Sequence, residues 1–216
     1  LLNYLGYKTT FPAAATQTTL TNSEIAPLAV NPASPYRFLG GVVHSTPLMV
    51  TKESTVSSNN AVGSREEYTV YGSMEGGLHI VNSATGKEQS VFVPQEILSN
   101  QYDTLANGNS KGVDTLTGVA YGVDAPWVAD NTFKVQTTTS NGTATTKYIA
   151  NKMNIYGGLR MGGKALYGLN IIDPTRPVLL FQIKPSTTGF SRMAQIWSKP
   201  TVAEIRVKGE RKKVLI

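Results

Sequence analysis

Cysteine is absent from the 216 residues, which excludes disulfides, thiolate metal sites and cysteine nucleophiles but leaves the compartment open. Histidine is scarce, with two in the whole chain, so little of the usual acid–base machinery is on offer. Charged residues make up only 16% of the chain, and no apolar run approaches the roughly 18 residues that span a bilayer as a helix. The opening LLNYLGYKTT has neither the basic stretch nor the small-residue cleavage site of a signal peptide, and the chain is expected to be an excised piece or a mature product. What is abundant is Thr, Ser and Asn, with 20 Gly and 11 Pro, a composition of many short strands and turns rather than helices. The net charge is +6, and five basic residues, Arg206, Lys208, Arg211, Lys212 and Lys213, crowd the C-terminal end. They read first as a solvated face, and as a polyanion site only if they cluster on phosphates.

Residues 1–36 are expected to form an extended arm or wrapping loop, because 8–36 are rich in Thr, Ala and Pro without periodicity. Three polar stretches, 54–64, 99–114 and 135–146, read as long loop insertions. Between them lie strand signals: GVVHSTPLMV (41–50), Tyr68–Tyr71, Leu78–Val81 and Val91–Val93. A short helix fits only within 94–106. The same order recurs from Lys152 to Lys184, with a glycine-rich turn, an alternating strand at 165–172 and an apolar strand at 178–183. Each unit opens on a proline in a similar setting, and Pro47, Pro126 and Pro200 follow at intervals of 79 and 74 residues. The last segment reads as a hairpin turning at Lys208-Gly209-Glu210. A repeated four-stranded unit is the signature of a propeller blade. The expected fold is therefore all-β, a partial β-propeller over 37–216 with four-stranded antiparallel blades. Its units lie at about 41–110, about 117–190 and an incomplete 195–216, with the remainder of the propeller lying elsewhere.

The stretch GGLRMGGKALYGLNIIDPTRP (157–177) raises a nucleotide-binding reading, since Gly158 is followed after four residues by Gly163-Lys164. Ala165 stands where a phosphate loop needs Ser or Thr. The next nine residues alternate like a strand and then meet Pro174 and Pro177, so the reading is a hairpin turn. His44 and Ser45 are neighbours on an expected strand and so point to opposite faces, which denies them a nucleophile–base pairing. His79, within GLHIV, reads as a hydrogen-bonded structural histidine. Asp103, Asn107, Asn109 and Asp114 are oxygen donors in one loop but miss the spacing of a calcium loop. No residue is assigned a catalytic, cofactor-binding or metal-binding role.

GGLHIVNSATGKEQSVF resembles the blade motif of quinoprotein propellers, roughly A-x-D-x-x-T-G-K-x-x-W. Ile80, Asn82, Thr85, Gly86 and Lys87 fall on it, with Asn82 in place of Asp and Ser90 at the Trp position. In the second unit Gly168 and Asn170 hold the Ala and Asp positions, and the Thr-Gly pair is missing. A closer resemblance covers the chain from about Arg37 onward. RFLGGVVHSTPLMV, VYGSMEGGLHIVNSATGKEQSVFVPQEIL, YGVDAPWVAD, YGGLRMGGKALYGLNIIDPTRP and IWSKPTVAEI stand in the order found in the C-terminal propeller of the PilC/PilY family of type IV pilus tip-associated proteins. The family's opening segment, blade turn and glycine run correspond to His44–Pro47, Glu75–Val81 and Gly157–Leu169. Departures are Gly76 after Glu75 and Lys164-Ala165 within the glycine run.

The resemblance implies a non-enzymatic pilus biogenesis factor or tip adhesin that supports pilus extension, attachment, twitching motility or DNA uptake. It implies export through the periplasm to the pilus tip or outer membrane of a bacterial cell. Its implied partners are minor pilins, a host or abiotic surface, and DNA. No cofactor is expected in this segment, since the acidic calcium loop carried by some members is not found here and calcium is left to the parent domain. The alternative is a fragment of a periplasmic pyrroloquinoline-quinone-dependent dehydrogenase, which would need a cation and acidic groups beside the cofactor.

Overall fold

A computed structural model describes residues 7–9, 25–27, 41–100 and 121–216. Of the expected arm at 1–36, only two short strands are described: β1 (Tyr7–Thr9) pairs antiparallel with β2 (Ile25–Pro27).

The rest is built on a repeated meander, as the recurring strand signals require. β3 (Leu48–Ser57), β4 (Val62–Gly72), β5 (Leu78–Asn82) and β6 (Glu88–Phe92) pair in succession, all antiparallel. β7 (Trp127–Ser140), β8 (Thr143–Gly158), β9 (Leu166–Asn170) and β10 (Val178–Ile183) repeat the pattern. A third unit is represented by the hairpin of β11 (Val202–Val207) and β12 (Glu210–Leu215), which forms a sheet of its own. The described residues are thus almost entirely β, in four-stranded antiparallel units, and the all-β partial propeller is borne out. One α-helix is described, α1 (Gln95–Asn100), within the segment expected to hold it.

The first hairpin of each unit is far longer than the sequence suggests. β3 and β4 run to Ser57 and from Val62, and β7 and β8 turn at Asn141-Gly142, so 54–64 and 135–146 are hairpin ends rather than loops. The composition of these stretches misleads because Thr is β-branched and suits a strand that is wet on both faces. Asn141 and Gly142 have φ of 49° and 76°, the mirror-image turn that closes a tight hairpin. The third expected insertion lies mostly outside the described residues. The two overlong ends then pair with each other: Glu53–Ser57 of β3 lies antiparallel to Thr145–Ile149 of β8 and joins both meanders into one eight-stranded sheet. In a second correction, the strand expected from residue 41 begins only at Leu48, because Pro47 has no N–H for a ladder.

One apolar core serves both meanders. Val50, Tyr68, Val70, Leu78 and Ile80 from the first pack in the same buried cluster as Trp127, Met153, Ile155, Tyr167 and Leu169 from the second. The rings of Phe92 and Tyr167 meet edge to face across the units, 5.5 Å between centroids. Tyr167 also donates its hydroxyl to Glu96 of α1, and Gln182 Nε2 donates to Glu96 Oε1 at 2.9 Å, so the helix of the first unit is locked onto the second.

Candidate functional site

The segments leading into the repeated units converge on Asp124. Its carboxylate is 2% exposed and accepts three bonds. The His44 backbone N–H lies at 3.1 Å from Oδ1, while His44 Nδ1 at 2.8 Å and Arg160 at 3.2 Å bind Oδ2. Arg160 comes from the glycine-rich stretch, where its φ of 53° places a bulky residue in left-handed backbone. Its guanidinium lies 4.8 Å from the centre of the Trp197 ring, in the segment before the third unit. The segments that lead into the three units are therefore tied through one buried carboxylate, its His44 partner and the Arg160 guanidinium. Ser45 takes no part in a pairing with His44; its hydroxyl accepts the Gly72 N–H at 2.7 Å. Both residues lie ahead of the strand expected to hold them, which begins only at Leu48.

A second polar cluster is built on β5. His79 is almost fully buried, with Ser73 Oγ at 2.9 Å and Glu75 Oε1 at 3.4 Å from Nε2, and Glu88 Oε2 at 2.8 Å from Nδ1. Tyr71 stacks on the imidazole at 5.2 Å. The Ser73–His79–Glu88 distances match those of a hydrolytic triad, but the chemistry does not. Burial acts to lower the His79 pKa, and the hydrogen bonds and charges of Glu75 and Glu88 outweigh it and leave the pKa raised, which favours imidazolium over a base. Ser73 is 1% exposed, and its hydroxyl already donates to the Gly77 carbonyl at 3.1 Å. His79 is a structural histidine.

The blade-turn motif owes its residues to hydrogen bonding. Asn82 Oδ1 accepts from the Ala84 N–H, the Thr85 N–H and the Thr85 hydroxyl at 3.0–3.1 Å, which closes the turn between β5 and β6. The second unit reaches the same end with other residues: Asp173 Oδ1 accepts the N–H and hydroxyl of Thr175. Asp173 lies three residues beyond Asn170, the position expected from the motif, where Asn170 Oδ1 accepts the Ile172 N–H at 3.0 Å.

The glycine-rich stretch is a turn. After β8 ends at Gly158 the chain makes a single 3-10 turn, Arg160–Gly162, and returns antiparallel as β9. The glycines serve close packing: a β-carbon at Gly157 would overlap the Trp127 ring, and one at Gly162 would collide with the Gly122 carbonyl. The five C-terminal basic residues are dispersed along β11, β12 and, for Lys208, the turn between them. Lys213 binds Asp130 of β7 at 2.8 Å, while Arg206 and Arg211 face each other in the hairpin register. Among the described residues no group of three or more acidic or histidine side chains could hold a metal ion, and Asp103, Asn107, Asn109 and Asp114 lie outside them.

Two open clefts complete the surface. One, of about 410 Å³, lies between Glu96, Asn100, Gly163, Lys164, Lys184 and Gln195. The other, about 330 Å³, is lined by Thr51, Ser54, Val56, Phe133 and Tyr148 on the joined hairpin ends. Nothing in the sequence pointed to the second, because Ser54 and Val56 fall in a stretch that reads as a loop and the pairing of β3 with β8 brings Tyr148 of β8 and Phe133 of β7 to them.

No protein-family model matches the chain. The chain is 27% identical over 182 residues to the type IV pilus biogenesis factor PilY1 of Pseudomonas aeruginosa (strain UCBPP-PA14), a match that covers 77% of the chain and 14% of that protein. The crystal structure of the Pseudomonas aeruginosa PilY1 C-terminal domain is similar over 70% of this chain and 24% of that one, at 22% identity and a TM-score of 0.40. The chain thus spans about a seventh of the length of the curated relative it matches. The resemblance to the PilC/PilY family first carried by five ordered motifs is borne out by sequence similarity over most of the chain.

Proposed function

We propose that this chain is part of the propeller of an exported, non-enzymatic type IV pilus factor. The observation that carries the reading is the 27% identity to a pilus biogenesis factor along 77% of the chain. In that role the joined sheet is a rigid scaffold that displays turns and hairpin ends for binding. The partners are minor pilins, a host or abiotic surface, and the remainder of the propeller, with DNA as a further partner at Arg206, Lys208 and Arg211 on the exposed β11–β12 hairpin. The protein works at the bacterial surface, at the pilus tip or outer membrane, and supports extension, attachment, twitching motility or DNA uptake. No cofactor is needed within this segment, and any calcium belongs to the parent domain. The quinone-enzyme alternative gains no support from the polar clusters, both of which are occupied by internal pairing. Deletion of the parent gene should reduce surface piliation together with motility or adhesion, and re-expression should restore them. Normal piliation, motility, adhesion and transformation in the deletion strain would remove the reading.

A further inference from the structure

β7 is paired with β8 along its whole length, and no strand pairs with its other edge among the described residues. Open edges are hazards that folded proteins guard with shortness, bulges, proline or charge. The other outer strands of the joined sheet follow that rule: β6 is five residues long and begins with Glu88, and β10 is six long with a bulge between Leu179 and Phe181. β7 does not. From Asn131 to Ser140 it reads NTFKVQTTTS, with no proline, glycine or acid, and its ladder with β8 is regular beyond Phe133.

The two faces of this edge differ. Phe133 and Val135 are exposed on one face, 39% and 58%, where Val135 stands opposite Tyr148 and Phe133 helps to line the cleft of about 330 Å³. Lys134 points to the opposite face and has no ion pair among the described residues, whereas nearby Lys147 is held by Glu53 at 2.6 Å. A strand added beside β7 would therefore place apolar side chains next to Phe133 and Val135, with the residue between them next to Lys134. A second copy pairing through its own β7 does not satisfy this edge, because 131–140 contains no acid to face Lys134.

We propose that the β7 edge from Asn131 to Ser140 is a strand-addition site for an extended segment of a partner protein with an apolar–acidic–apolar pattern. Main-chain bonds supply the pairing, and the Phe133–Val135 face and Lys134 supply the choice of partner. The proposal stands on the edge alone and does not depend on the pilus reading.

The probe is a fluorescein-labelled Thr-Val-Thr-Val-Glu-Val-Thr-Val-Thr peptide, followed by anisotropy with the full 216-residue chain. Saturable binding is expected, and a peptide with Lys in place of the central Glu should bind about fivefold more weakly. Lys134→Glu should invert that preference, and Val135→Lys should weaken both peptides. Hydrogen exchange should show new protection at 131–140 and none at β6 or β10. Absence of saturable binding, equal affinity for the two peptides, protection on another edge, or dimerisation of the free chain through β7 would each overturn the proposal. The inverted preference of Lys134→Glu is a gain of binding to the Lys peptide, which an unfolded variant could not show.

Discussion

His79 is enclosed by β5, the turn before it and β6, and meets one carboxylate on each side. Its raised pKa means that the folded state holds the proton more tightly than the unfolded chain. The stabilisation is fully present below the ordinary imidazole value of 6.5 and is lost as pH rises through the raised one. The urea midpoint should therefore fall as pH rises above 6.5, and His79→Gln should be less stable at the acid end and lack that fall. Asp124 offers a test of a different kind. Asp124→Ala leaves the His44 N–H and the Arg160 guanidinium without their acceptor, a loss of about 2 kcal/mol once the partial exposure of both partners is allowed for. Asp124→Asn keeps an acceptor for the backbone N–H and should lose less, as chemical denaturation would show. Neither histidine received a catalytic assignment from the sequence. The side-chain partner of His44 could not be read there, because His44 and Asp124 are 80 residues apart and only the fold brings them within 2.8 Å.

At the scale of elements, the turns were the most legible feature. The Lys208-Gly209 hairpin, the Asn82 turn and the glycine-rich turn all lie where residue type places them, since positive φ and side-chain capping are local demands. Asn82→Ala removes three hydrogen bonds from the β5–β6 turn and should cost about 1 kcal/mol, while Asn82→Asp should be close to neutral. Gly157 answers to packing instead. Gly157→Val would drive its side chain into the Trp127 ring and should destabilise by about 2 kcal/mol, with a change in Trp fluorescence as the ring shifts. The hairpin ends were misread for a physical reason. Strands exposed on both faces carry no hydrophobic alternation, and a Thr-rich run such as 137–146 then has the composition of a loop.

Across the whole molecule, the third unit is attached differently from the first two. The first meanders share a core and a ladder, whereas β11 and β12 meet the second across a cavity of about 170 Å³ and through the Lys213–Asp130 pair. Burial acts to raise the Asp130 pKa, but the hydrogen bonds and charges of Lys152 and Lys213 outweigh it and leave it lowered. That contribution is present above the ordinary carboxylate value of 3.8 and is lost as pH falls through the lowered one. Lys213→Ala, or acidification through that window, should speed amide exchange in β11 and β12 before it does so in β4 or β8. High salt should act in the same direction. Turn positions, the strand order of the repeat and the family resemblance were determined by the sequence itself, because alternation, proline, glycine and Asn or Asp capping act over a few residues. The tertiary structure alone decided the fusion of β3 to β8, the open β7 edge, and the burial of Asp124 among its partners. Those depend on which distant segments meet, and the energy of a long-range contact leaves no mark on the local pattern of either segment.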